Sequence, residues 1–142
     1  MKCDSLHEPE PLAGHNEAAR LDLTLLGFER TRNYTLSARA DEAPFCWLEV
    51  ADQPGLAFLV IEPFVVEPDY KPNINDRDTQ VLGLQKPEDA VLLNIVTLRG
   101  ANQATVNLKG PIVVNRHTRV GKQVIPDNAS DYSIQHPLPV GN

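Results

Sequence analysis

The sequence predicts an all-β protein, a single small antiparallel β-barrel-like domain with at most a one-turn helix near residues 87–90. Short runs rich in β-branched and aromatic residues recur along the chain. Clusters of Gly, Pro, Asn and Asp separate them at the close intervals typical of antiparallel barrels and sandwiches. The 142 residues make one ordinary domain, long enough to bury roughly 68–70% of its unfolded surface.

Residues 1–20 carry prolines, histidines and acids with little periodicity, so an irregular arm is expected there. The β domain is expected over residues 21–142. Strands are predicted at 21–26, 34–37, 45–50, 56–61, 80–84, 91–98, 105–108, 111–114 and 123–125. Pro87 followed by Glu88 and Asp89 fits the start of one helical turn, which the apolar run from Val91 cuts short. The hairpin that carries Trp47, flanked by Phe45 and Leu48 and followed by Leu56, Phe58 and Val60 on the next strand, reads as the spine of the core, with an aromatic ligand platform as the sharper alternative.

The run TVNLKGPIVVN over 105–115 is the most informative segment. Val106 and Leu108 alternate with Thr105, Asn107 and Lys109, the period of a half-buried strand. Gly110 and Pro111 then interrupt the ladder, since Pro donates no hydrogen bond and Gly permits a bulge. A second apolar strand resumes at Ile112. Asn107 and Asn115 exceed what packing requires, and a side-chain amide holding a bend is the favoured reading of both.

The net charge is −6, with 13 Lys and Arg against 19 Asp and Glu. Such a balance argues against a nucleic-acid binder, which needs basic residues to meet phosphates. It suits a protein steered toward a basic protein partner. Cys3 and Cys46 fit a reduced compartment. The opening MKCDSLHEPEPLAGH places acids and prolines where a secretory leader needs an apolar run, so a cytoplasmic location is expected. No run approaches the ~18 apolar residues of a transmembrane helix.

Catalytic constellations are not apparent. The glycines form neither a P-loop nor a dinucleotide fingerprint, and none of the four serines lies in a nucleophile elbow. Cys46 reads as a packed thiol. Cys3 and His7 have metal-like spacing without a second ligand pair, so no metal and no cofactor are expected. His117 and His136 read as surface or turn residues.

Several blocks in register resemble one family. Pro44-Phe45-Cys46-Trp47-Leu48-Glu49 with Leu56-Ala57-Phe58-Leu59-Val60-Ile61-Glu62-Pro63 is similar to the P-F-x-W-L-Q…L-A-F-x-V-x-D-P hairpin of the flagellar assembly factor FliW family. Pro68-Asp69-Tyr70, the 105–115 run, and Gly121 to Ile125 with Tyr132 and His136-Pro137-Leu138 match its later blocks. Of its G-L-P-G-F-E turn only Gly27-Phe28-Glu29 remains, and Gly110 stands where the family usually has Ala.

The resemblance implies a non-enzymatic regulator of flagellar assembly that binds flagellin and antagonises CsrA, an RNA-binding translational repressor of flagellin synthesis. Partner contacts are expected from Glu49, Asp52, Glu62, Asp69 and Tyr70, with Asn107 and Asn115 as further candidates. The competing class is an orphan ligand- or peptide-binding β-barrel without a flagellar role.

Overall fold

The computed structural model describes residues 12–13 and 17–139. Nine strands follow in chain order: β1 (Glu17–Thr24), β2 (Asn33–Ala38), β3 (Phe45–Val50), β4 (Ala57–Ile61), β5 (Ala90–Gly100), β6 (Gln103–Val106), β7 (Ile112–Asn115), β8 (Val120–Gln123) and β9 (His136–Pro139). One short helix, α1 (Asp76–Val81), lies between β4 and β5.

Seven of the strands close a barrel, in the order β1-β2-β3-β4-β5-β7-β8 and back to β1. All pairs in the ring are antiparallel except β1 with β8, where Asp22, Leu23 and Thr24 run beside Val120, Gly121 and Lys122. Closure leaves the ring without a free edge. Gly121 is required at the parallel seam, because a Cβ there would lie 2.6 Å from the Val113 carbonyl oxygen and 2.9 Å from Leu23.

The 105–115 run explains how one long strand serves two successive partners. The eleven-residue β5 pairs through Ala90–Leu93 with β7 and through Val96–Gly100 with β6. Between those partners the chain bulges at Leu108–Pro111. Asn107 Oδ1 accepts the N–H groups of Lys109 at 3.0 Å and Gly110 at 3.0 Å, so its side chain holds the bend as expected. Beyond the bend β7 continues the barrel, whereas β6 leads outward to β9.

Two cores result, on opposite faces of the same strands. Leu21, Leu23, Tyr34, Leu36, Leu48, Val50, Val60, Val91, Leu93, Ile112 and Val114 fill the barrel. Leu92, Val96, Val106 and Val113 point the other way and pack with Ile61, Tyr70, Ile74, Leu82, Leu108 and Val124. Burial on both faces makes 90–96 a nearly continuous apolar run.

Several sequence expectations are corrected. β1 begins at Glu17, inside the segment expected to be an irregular arm, and Leu12 and Ala13 are buried against the barrel core. The remainder of that arm, with Cys3 and His7, lies outside the described residues. The strand expected at 80–84 is the end of α1 and its following turn; Asn75 caps this helix by accepting the Asp78 N–H at 2.9 Å. The turn at Pro87–Asp89 is present as one 3₁₀ turn. β9 is an additional strand, and His136 sits in it, half-buried, rather than in a turn.

Pro137 and Pro139 account for its being overlooked. They pair with Thr105 and Gln103, and proline is tolerated in a sheet where its nitrogen faces away from the ladder. The same placement removes those two donors from the outward edge of β9 and blunts it.

Candidate functional site

On β3 the side chains alternate. Cys46, Leu48 and Val50 turn to the barrel, while Phe45, Trp47 and Glu49 share its outer face. The hairpin thus supplies Leu48, Val50 and Val60 to the barrel core, and Trp47 is the member that stands outside that core. It is half-buried and belongs to neither core cluster.

The strand register sets small residues beside it. Trp47 pairs with Ser37, and Ser37 pairs in turn with Ala18. These short side chains leave the flank of the indole open. The 3₁₀ turn at Ala40–Glu42 between β2 and β3 rises at one end of the row. The result is an open groove of about 940 Å³ across β1, β2 and β3, lined by Glu17, Ser37, Arg39, Asp41, Glu42, Trp47 and Glu49 among others. Four acidic residues and one arginine contribute to this lining.

The predicted contact residues divide by position. Glu49 is exposed and lines the groove. Asp52 is exposed in the β3–β4 turn, outside it. Glu62 is exposed just past β4 and Asp69 is exposed in the segment that follows, and neither lines the groove. The four acids thus do not converge. Tyr70 is 1% exposed and donates its hydroxyl to the Leu108 carbonyl at 2.6 Å, which makes it part of the outer core. Asn115 is buried, donating to the Leu82 carbonyl at 2.8 Å and accepting the His117 N–H at 2.9 Å. Asn107 is committed to the bend.

Asp89 and Cys46 are structural in the same sense. Asp89 is buried and accepts from the Gln85 and Lys86 amides, with the His117 ring at 3.0 Å. Its carboxyl is held below the ordinary range, chiefly by the Gln85 amide against the opposing effect of burial, with further help from the His117 ring and the Lys86 amide. The Cys46 thiol is pushed up, first by burial and then by the charge of Glu62, the opposite of what activates a nucleophile. Among the described residues no group of three or more His, Cys, Asp or Glu could hold a metal ion, and no helix is long and apolar enough to cross a membrane.

Fold and groove together define a small closed β-barrel with an outer β-layer and an open acidic face suited to contact with another macromolecule. The sequence profile of the FliW protein family matches residues 13–138, and the chain belongs to that family. The flagellar assembly factor FliW of Natranaerobius thermophilus is 34% identical over 140 residues, covering 97% of this chain and 92% of its own. That of Leptospira biflexa is 41% identical over 103 residues, 71% of this chain and 67% of the relative. A crystal structure of the flagellar assembly factor FliW superposes with a TM-score of 0.72 at 31% identity, covering 87% of this chain and 86% of the other.

The groove was missed in the sequence because its walls come from residues distant along the chain. One signal was available: Trp47 has the same strand parity as Glu49, and a charged residue on a strand marks the outer face.

Proposed function

We propose that this chain is a cytoplasmic regulator of flagellar assembly that binds flagellin and, once flagellin has been exported, binds CsrA and relieves its repression of flagellin synthesis. Membership of the FliW family supports the flagellar role. The observation that carries the protein-binding reading is the groove beside Trp47, whose lining residues include four acids and one arginine. A surface of this kind attracts a basic RNA-binding protein and repels the RNA itself. For the switch to operate, each partner lowers the affinity for the other by the same factor.

The test is retention of the host's flagellin and CsrA on the immobilised chain, singly and together. Each is expected to bind alone, and flagellin is expected to displace CsrA. Retention of neither would overturn the proposal.

A further inference from the structure

The groove is specific enough in its chemistry to indicate which side chain it receives. We infer that it takes an extended, arginine-bearing segment of a basic protein partner, with one guanidinium stacked on Trp47 and hydrogen-bonded to flanking carboxylates of Glu49 and the Asp41–Glu42 turn. This rests on the reading that the chain acts by binding a basic protein, and it adds the residue type recognised and the surface that recognises it.

Three observations converge. The first is the open indole: the register puts Ser37 beside Trp47 and Ala18 beyond it, so no large neighbour in that row covers the ring on the β2 side. The second is charge. Asp41, Glu42 and Glu49 against Arg39 leave an excess of two negative groups along the groove on the side of the ring. A cation held over an aromatic face between carboxylates gains from both, and a planar, weakly hydrated guanidinium gains more than a strongly hydrated ammonium.

The third is shape. β1 and β3 are two strand spacings apart, roughly 10 Å, and the groove is bounded on one side by the Arg39–Glu42 segment. A helix with its side chains needs about 10–12 Å, whereas an extended segment needs about half that.

Trp47 is the only tryptophan in the chain, so its emission reports occupancy of the groove directly. The full chain is titrated with acetylated tetra-arginine amide and, separately, with the tetra-lysine peptide, in about 0.05 M and about 0.3 M salt. The arginine peptide is expected to give a saturable change in emission that weakens in high salt, with the lysine peptide binding about threefold more weakly. Glu49→Gln and Glu42→Gln are expected to weaken it several-fold, while Asp69→Asn, outside the groove, leaves it unchanged. No saturable change, no preference for arginine, or an equal loss from Asp69→Asn would overturn the inference.

A calorimetric titration of Trp47→Phe and Trp47→Ala, each checked for a native melting transition, separates stacking from charge. Phe is expected to retain most of the affinity and Ala to lose it. Host partners then separate this inference from the function it rests on. If CsrA and flagellin are both retained and Trp47→Ala and Glu49→Gln change neither, the groove inference fails and the function stands. If neither partner is retained but the arginine peptide binds as described, the groove chemistry stands without the flagellar function.

Discussion

Gln123 Nε2 donates to the Gly110 carbonyl at 3.0 Å, and a Cβ added at Gly110 would lie 3.1 Å from that same nitrogen. Gln123 also accepts the Leu26 N–H through Oε1 at 3.0 Å, so one side chain joins the β1–β2 turn to the bend that divides β6 from β7. Gly110 is not among the glycines with positive φ, and both close neighbours of its would-be Cβ are side-chain amides, of Gln123 and Asn107. Gly110→Ala is therefore expected to change stability by no more than about 1 kcal/mol, the contact offset by the smaller entropy of the unfolded chain. Gly121→Ala meets a backbone carbonyl instead and is expected to cost about 3 kcal/mol. Denaturant unfolding of the two variants measures the contrast, and equal losses would contradict it.

Two tyrosines, each 1% exposed, predict opposite responses to losing a hydroxyl. The Tyr70 hydroxyl bonds the Leu108 carbonyl just before the bend. Tyr70→Phe leaves that acceptor unmet and is expected to cost about 1–2 kcal/mol. The Tyr34 hydroxyl is buried with no hydrogen-bond partner among the described residues, and burial raises its pKa. Tyr34→Phe is expected to be neutral or slightly stabilising. Unfolding midpoints that move together would show that the barrel interior is not as dry around Tyr34 as its packing implies.

These particulars also show how far the sequence could be read. The hairpin of β3 and β4 was legible because hydrophobic alternation and a Pro-Gly turn agree there, and the bend at Gly110-Pro111 because Gly and Pro interrupt a ladder in a way few other residues do. β1 was misplaced by four residues, since Glu17, Ala18, Ala19 and Arg20 have little strand propensity and are ordered by pairing with β2. α1 was hidden by Val81, Leu82 and Leu84, an apolar cluster too short for periodicity to decide, although Asn75 with Asp78 carried the cap signal. Of the site, Glu49 was legible as an exposed acid. Its place in one groove with Trp47 and the Asp41–Glu42 turn was not, because only the strand pairing brings those segments together.

The buried carboxylate of Asp89 makes stability depend on acidity. Its folded pKa lies below the unfolded value, so its contribution is complete above an unfolded pKa of about 3.9 and is lost as pH falls through the folded pKa. Asp89→Asn is expected to lower stability at neutral pH. The gap between wild type and variant should narrow as pH is lowered below about 4. Denaturation series across that range read the difference; a gap that stays constant would assign the Asp89 contacts no linkage to protonation.

The separation of the acids along the β3–β4 hairpin predicts two kinetic classes among charge reversals. Glu49 lines the groove, so Glu49→Lys places a cation where the partner's cation must sit. Its main effect on CsrA binding is expected in dissociation, about tenfold faster or more. Glu62 follows β4 at the end of the hairpin away from its turn and does not line the groove, so its charge acts on a partner seated in the groove chiefly through the field. Glu62→Lys is expected to slow association by about two- to threefold at low salt, with dissociation unchanged, and the effect should vanish once the Debye length falls below roughly 5 Å. Surface plasmon resonance across a salt series resolves both rates. If Glu62→Lys accelerates dissociation as much as Glu49→Lys does, the contact surface extends beyond the groove to Glu62.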